Sequence, residues 1–268
     1  MNEDSEYIYQ DLTHILIGCF FHVHNSLGVG FDEKAYHYAL ERHFRKKGIE
    51  HQSKPRKLIV HRGHKVREFE ADFIVFEKII LELKALQSNF LQPNYVQIFS
   101  ELKLWKKKLG LLVNFGLQKV ELERIIFTGK SKKVIENYDY IKDLINDSER
   151  KILGKLREAI FYIFEAHGLG YGESVYYRLL EMELDFRKIN YKTRHPIHVN
   201  FECEDISIFK MKPLLVENQI ICSISALTDT IDFYDIAKVQ SYLRALNLKI
   251  GIIISFGKNE LEIRGVRS

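Results

Sequence analysis

The chain has 268 residues, 46% of them hydrophobic and 28% charged, which suits two ordinary domains or one large one and leaves no low-complexity tract. A formal net charge of +4 permits nucleic-acid binding without demanding it. Cys19, Cys203 and Cys222 are odd in number and lack C-x-x-C spacing, which excludes a disulfide framework or zinc ribbon and favours a reducing compartment.

The N-terminus MNEDSEYIYQ is acidic and polar, unlike a signal peptide, and the longest apolar run, Ile250–Phe256, is too short to span a bilayer. A cytoplasmic protein with no membrane partner is therefore expected. Apolar residues at helical spacing predict a first helix over Leu12–Leu27, ended by Gly28. Asp32 then caps a second helix that reaches about Lys47 and stops at Gly48. The β-branched and aromatic stretch RKLIVHRGHKVREFEADFIVFEKIILELKAL predicts three strands, with turns at Arg62-Gly63 and around Glu77-Lys78. Pro93 opens a third helix running to about Lys108, and GLLVNF and LERIIF supply two more strands. The segment TGKSKKVIENYDYIKDLINDSER has Ile, Tyr and Leu at a spacing that predicts a short amphipathic connecting helix.

This order, α-α-β-β-β-α-β-β, occurs twice. GVGFDEKAY (Gly28–Tyr36) and GLGYGESVY (Gly168–Tyr176) share G-x-x-E-x-x-Y at an offset of 140, while LLVNFG (Leu111–Gly116) and IIISFG (Ile252–Gly257) match at 141. Pro55 and Pro196 also match at 141, which places a one-residue insertion between the second helix and the first strand. The expected division is residues 1–128, a connecting segment 129–148, and residues 149–268.

Chemistry concentrates in ADFIVFEKIILELKAL, Ala71–Leu86. In a strand, residues two apart share a face, so Glu82 and Lys84 point one way and Leu81, Leu83 and Ala85 point into the core. A hairpin in simple register brings Asp72 near Glu82. Two carboxylates and an ammonium at one place suit a hard cation such as Mg²⁺, or Mn²⁺, bound by oxygen. The competing reading is that Glu82 and Lys84 are solvent-facing strand charges or a cross-strand ion pair.

Taken together, LGVGFDEKAYHYALE, ADFIVFEKIILELKAL and GLLVNFG make the chain resemble the GxxExxY protein family of the PD-(D/E)XK nuclease superfamily. The resemblance implies an α/β fold of two tandem restriction-endonuclease-like domains, each a mixed sheet flanked by helices. It implies that Asp72 and Glu82 bind metal, that Lys84 is the lysine of E-x-K, that Glu33 is an additional acidic residue, and that Gln97 is the glutamine of a Q-x-x-x-Y motif. Glu101 stands where that motif has tyrosine.

The second copy is an internal control. Pro213, Ser223 and Ser225 take the places of Asp72, Glu82 and Lys84, Lys238 replaces Gln97, and Glu173 and Tyr176 persist. The scaffold therefore does not need the polar set, which points to chemistry in the first copy alone. The expected function is a Mg²⁺-dependent nuclease acting on nucleic acid, DNA in preference, with the second copy a degenerate pseudoenzyme partner in an intramolecular pseudo-dimer and cutting of both strands requiring a homodimer. The alternative is a non-catalytic nucleic-acid- or protein-binding module that retained a nuclease fold. No P-loop, G-x-G-x-x-G after a strand, or G-x-S-x-G is present, so nucleotide hydrolysis, dinucleotide redox and serine hydrolysis have no support.

Overall fold

A computed structural model describes residues 8–128, 133–202, 204–228 and 230–268, so Cys203 lies outside the described residues. The chain divides into two compact units, Met1–Thr128 and Gly129–Ser268.

In the first unit, helix α1 (Gln10–Leu27) ends at Gly28 and helix α2 (Glu33–Lys47) starts from the Asp32 side chain, which accepts the Ala35 amide at 2.9 Å. Gly48, at φ 67°, closes α2 in the left-handed conformation that glycine adopts without a steric cost. Five strands follow where three were expected: β1 (His51–Ser53), β2 (Arg56–His61), β3 (His64–Glu70), β4 (Phe73–Val75) and β5 (Ile79–Lys84). Helix α3 (Gln92–Trp105) then crosses to β6 (Leu109–Asn114), and β7 (Glu121–Ile126) completes the unit. The helix stops three residues short of Lys108 because Lys106 turns left-handed at φ 56° and Leu109 already lies in a strand.

The sheet order is β1-β4-β5-β6-β7, parallel between β5 and β6 and antiparallel elsewhere, while β2 and β3 form a separate two-stranded ribbon. One face of the sheet buries Phe73, Val75, Leu81, Leu83 and Leu111 against Leu16, Phe20, Leu40 and Phe44 of α1 and α2. The other buries Ile74, Ile80 and Leu112 against Ile98 and Leu102 of α3. Both faces of β5 are therefore covered, and a polar residue on either face must find a partner inside the protein.

The second unit repeats the plan with β8 (Lys133–Asn137), α4 (Asp147–His167), α5 (Glu173–Phe186), β9 (Tyr191–Lys192), β10 (Pro196–Phe201), β11 (Glu204–Lys210), β12 (Leu214–Val216), β13 (Ile220–Ala226), α6 (Phe233–Ala245), β14 (Ile250–Phe256) and β15 (Glu260–Arg267). The expected connecting helix is replaced by β8, which pairs in parallel with β15 and extends that sheet to the order β8-β15-β14-β13-β12-β9. Cys19 and Cys222 are buried free thiols. No helix among the described residues is long and apolar enough to cross a membrane.

The repeated phrase has a structural job in both units. The Tyr36 hydroxyl donates to the Gly28 carbonyl at 2.8 Å and its ring stacks on Phe115 at 5.0 Å. The Tyr176 hydroxyl donates to Gly168 at 2.7 Å and its ring stacks on Phe256 at 3.8 Å. Tyrosine thus ties the end of the first helix to the second helix and to the sheet. Tyr36→Phe and Tyr176→Phe should each cost about 1 kcal/mol, read as a lowered urea midpoint, with divalent-cation titration unchanged in both.

Candidate active site

The β4–β5 hairpin sets the geometry. Phe73 pairs with Leu81 and Val75 with Ile79, and Phe76, Glu77 and Lys78 form the three-residue connection, its first two residues at φ 53° and 54°. One further step of this register puts Asp72 across from Glu82. Both are 2% exposed, which removes the reading of Glu82 as a solvent-facing strand charge.

Asp72 accepts the Leu83 amide on Oδ2 at 2.6 Å and the Lys54 ammonium on Oδ1. His37 Nδ1 stands 3.7 Å from Oδ1, without a hydrogen-bond partner, while its Nε2 bonds the Ser53 hydroxyl at 2.9 Å. On Glu82, Oε1 accepts from Lys84 Nζ at 2.5 Å and from Gln97 Nε2 at 2.6 Å, but Oε2 is buried with no donor. Lys84 Nζ also lies 3.7 Å from Glu33 Oε2, at the start of α2. Asp72, Glu82, Lys84, Glu33 and Gln97 therefore meet at one end of the sheet.

Three residues join them that the sequence did not single out as site members. Lys54, in a left-handed conformation at φ 52°, is tied to Asp72 through both its amide and its ammonium. His37 stacks on Phe73 at 4.1 Å beside the same carboxylate. Glu101 is fully buried, takes the Gln97 amide at 3.1 Å on Oε1 and leaves Oε2 without a partner. The sequence signals for Glu101 are its place where the Q-x-x-x-Y motif has tyrosine and its replacement by Tyr242 in the second copy.

The electrostatics are divided. Burial opposes ionisation of Asp72, but His37, the Lys54 ammonium and the Leu83 amide outweigh it and hold the carboxyl below its usual range. Burial pushes Glu82 well above the usual range, and the neighbouring Glu101 and Asp72 charges push it further. Glu101 is pushed up to about 8, mainly by burial. For Lys84 burial favours the neutral form, yet the Glu82 carboxylate more than offsets this and keeps it an ammonium.

These residues fit a hard cation. Every candidate ligand atom is a carboxylate oxygen, one is a buried acceptor lacking a donor, and ammonium groups sit where a cation would neutralise Asp72 and Glu82. Among the described residues no three or more His, Cys, Asp or Glu side chains gather as a ligand cluster. The fit is to an ion held by two carboxylates, with water and phosphate oxygens completing its shell, as Mg²⁺ is commonly bound.

The corresponding place in the second unit is built differently. The ribbon pairs Arg56 with Glu70 and Pro196 with Lys210, and both ribbons shift register at the same step, Ile59/Val60 and Val199/Asn200. The structural offset is thus still 140 through the ribbon, so His195, not Pro196, occupies the position of Pro55. It becomes 141 only at Leu214, which pairs with Cys222 as Phe73 does with Leu81. The inserted residue therefore falls between Met211 and Leu214, where Lys212-Pro213 spans the place of Asp72 alone, and not before the first strand. Tyr177, at the position of His37, accepts the Ile224 amide at 2.9 Å, the bond that Asp72 makes to Leu83. Glu173 pairs with Lys212 instead of with a strand lysine.

Residues 10–125 and 150–266 each match the family model described as the PD-(D/E)XK nuclease superfamily. No curated protein matches the chain. One solved structure, titled "Crystal structure of SSO0001", is 22% identical over 35% of this chain and 50% of its own, with a TM-score of 0.30. That alignment spans half the length of the solved chain.

Proposed function

Because the chain belongs to the PD-(D/E)XK nuclease superfamily through both of its halves, we propose that its first unit is a Mg²⁺-dependent phosphodiesterase that cuts DNA at a single centre. The observation that carries this reading is the buried, donorless Oε2 of Glu82 beside the ionised Asp72. A buried acceptor without a partner costs about 1–3 kcal/mol, and a site that keeps one is shaped for a positive partner. The finer placement in the GxxExxY family rests on LGVGFDEKAYHYALE.

Asp72 and Glu82 would hold the cation. When bound, Mg²⁺ (or Mn²⁺) neutralises the phosphodiester and lowers the pKa of a coordinated water. Lys84, kept as an ammonium, would orient an attacking water and stabilise charge developing on the phosphate oxygens. Gln97 fixes Glu82 through Oε1, and Glu33 steadies Lys84 from the start of α2. Lys54 holds Asp72 ionised.

The polar set is absent from the second unit, so one chain carries one centre and makes one cut per encounter. Scission of both strands then calls for two chains. The buried free thiols of Cys19 and Cys222 suit the cytoplasm.

Purified protein with Mg²⁺ should convert a supercoiled circle to the nicked form, and Lys84→Ala should slow this roughly 100-fold, the scale of losing one stabilising donor. A wild type that performs no better than Lys84→Ala across metals and salt would sink the proposal.

A further inference from the structure

Both units keep a cavity at the same place in the fold, with different charge. In the first unit it measures about 330 Å³ and is lined by Glu33, Lys34, His37, Tyr38, Ser53 and Lys54. In the second it measures about 610 Å³, and its walls include Tyr177, Arg178, Thr193, Arg194, Lys210 and Lys212. At the structural offset of 140, Tyr38 has become Arg178, Lys54 has become Arg194 and Glu70 has become Lys210. Where Asp72 stood, Lys212-Pro213 now runs.

Four cations thus line the second cavity against one lining carboxylate, Glu181, which pairs with Arg178 at 3.2 Å. Lys212 is bonded to Glu173, so Arg194 and Lys210 carry the net positive charge. Thr193 adds a hydroxyl, and the Tyr177 hydroxyl, bound to the Ile224 amide, closes the wall against the sheet. A concave site of one sign concentrates counter-charge, and guanidinium groups match the oxygens of phosphate. The replacements run together: Glu70 and Asp72 at the end of the ribbon give way to Lys210 and Lys212-Pro213, and Tyr38 on the facing helix gives way to Arg178.

We propose that this cavity of the second unit binds a phosphate of the nucleic-acid backbone and does not cleave it. The assignment rests on nucleic acid being this chain's substrate, but not on the first unit's chemistry.

The test is anisotropy of a labelled duplex and a labelled single strand with the full chain in chelator, which silences cleavage. The variant is Arg194→Asn with Lys210→Gln. Asparagine suits position 194 because the backbone there is left-handed, at φ 49°. Dissociation constants should rise at least tenfold, and the slope of log affinity against log salt should flatten by roughly 1.5–2, the loss of two phosphate contacts. Far-UV circular dichroism should stay that of the wild type. If the double variant misfolds, Lys210→Ala alone, on an exposed strand, should show half the change in slope. Unchanged affinity and slope in a folded variant would overturn the proposal. So would anionic phospholipid vesicles that displace the oligonucleotide more effectively than unlabelled DNA, or inorganic pyrophosphate that binds through these residues while the oligonucleotide ignores them. A chain that never nicks, yet loses DNA binding in the variant, refutes the cleavage reading and supports this one.

Discussion

Asp72→Asn is expected to abolish divalent-cation binding by the first unit and to slow nicking of a supercoiled circle by roughly 10³-fold or more. A bound cation supplies several kcal/mol of transition-state charge stabilisation, and each 1.36 kcal/mol is a factor of about ten in rate. Asparagine keeps the shape of the side chain and an oxygen that can accept the Leu83 amide, so the β4–β5 hairpin survives. It removes the charge that His37, Lys54 and the Leu83 amide keep ionised in the native protein. Calorimetric titration with Mg²⁺ and Mn²⁺ on wild type and variant reads the effect without any turnover. Two proteins that titrate alike would reduce Asp72 and Glu82 to structural carboxylates and leave a nuclease fold used only for binding.

Glu101→Gln should make the protein more stable than wild type at pH 8, with the gap closing by pH 5. The buried Glu101 carboxyl holds its proton up to about 8 in the folded protein, whereas an unfolded chain releases it near the ordinary glutamate value of 4.5. Through that window the folded state binds more protons than the unfolded one, so wild-type stability falls as pH rises. Burying the charge therefore costs on the order of 3–4 kcal/mol by pH 8, or on the order of 10 °C in melting temperature. Glutamine retains a carbonyl for Gln97 and carries no charge to bury. Melting curves followed by circular dichroism from pH 5 to 8.5 decide the matter, and parallel curves for the two proteins would refute it.

Much of the first unit was legible in the sequence because its signals are local. Asp32 and Gly48 bound α2 by capping chemistry, and the strand period put Leu81 and Leu83 on one face and Glu82 on the other. The hairpin register followed from a short turn around Glu77, and the three-residue connection 76–78 carries Asp72 to Glu82. What was missed depends on distant packing. Glu101 reads as an ordinary helix glutamate until α3 is laid on the sheet beside Glu82. Lys54 and His37 reach Asp72 only when the ends of β1 and α2 converge on it. The segment holding β8 has apolar spacing a helix could use, and its strand exists because β15 offers an edge. The inserted residue was misplaced because two prolines, Pro55 and Pro196, coincide at the wrong offset.

The Lys212-Pro213 span also bears on how the second unit can change. Leu214 pairs with Cys222 as Phe73 does with Leu81, so groups written at 213, 223 and 225 would enter the sheet in the register of 72, 82 and 84, with the added residue confined to the connection between Met211 and Leu214. Three point changes together would thus rebuild the polar set in register, but the added Lys212 would still draw Glu173 to itself, where the first unit's Glu33 is left to face Lys84.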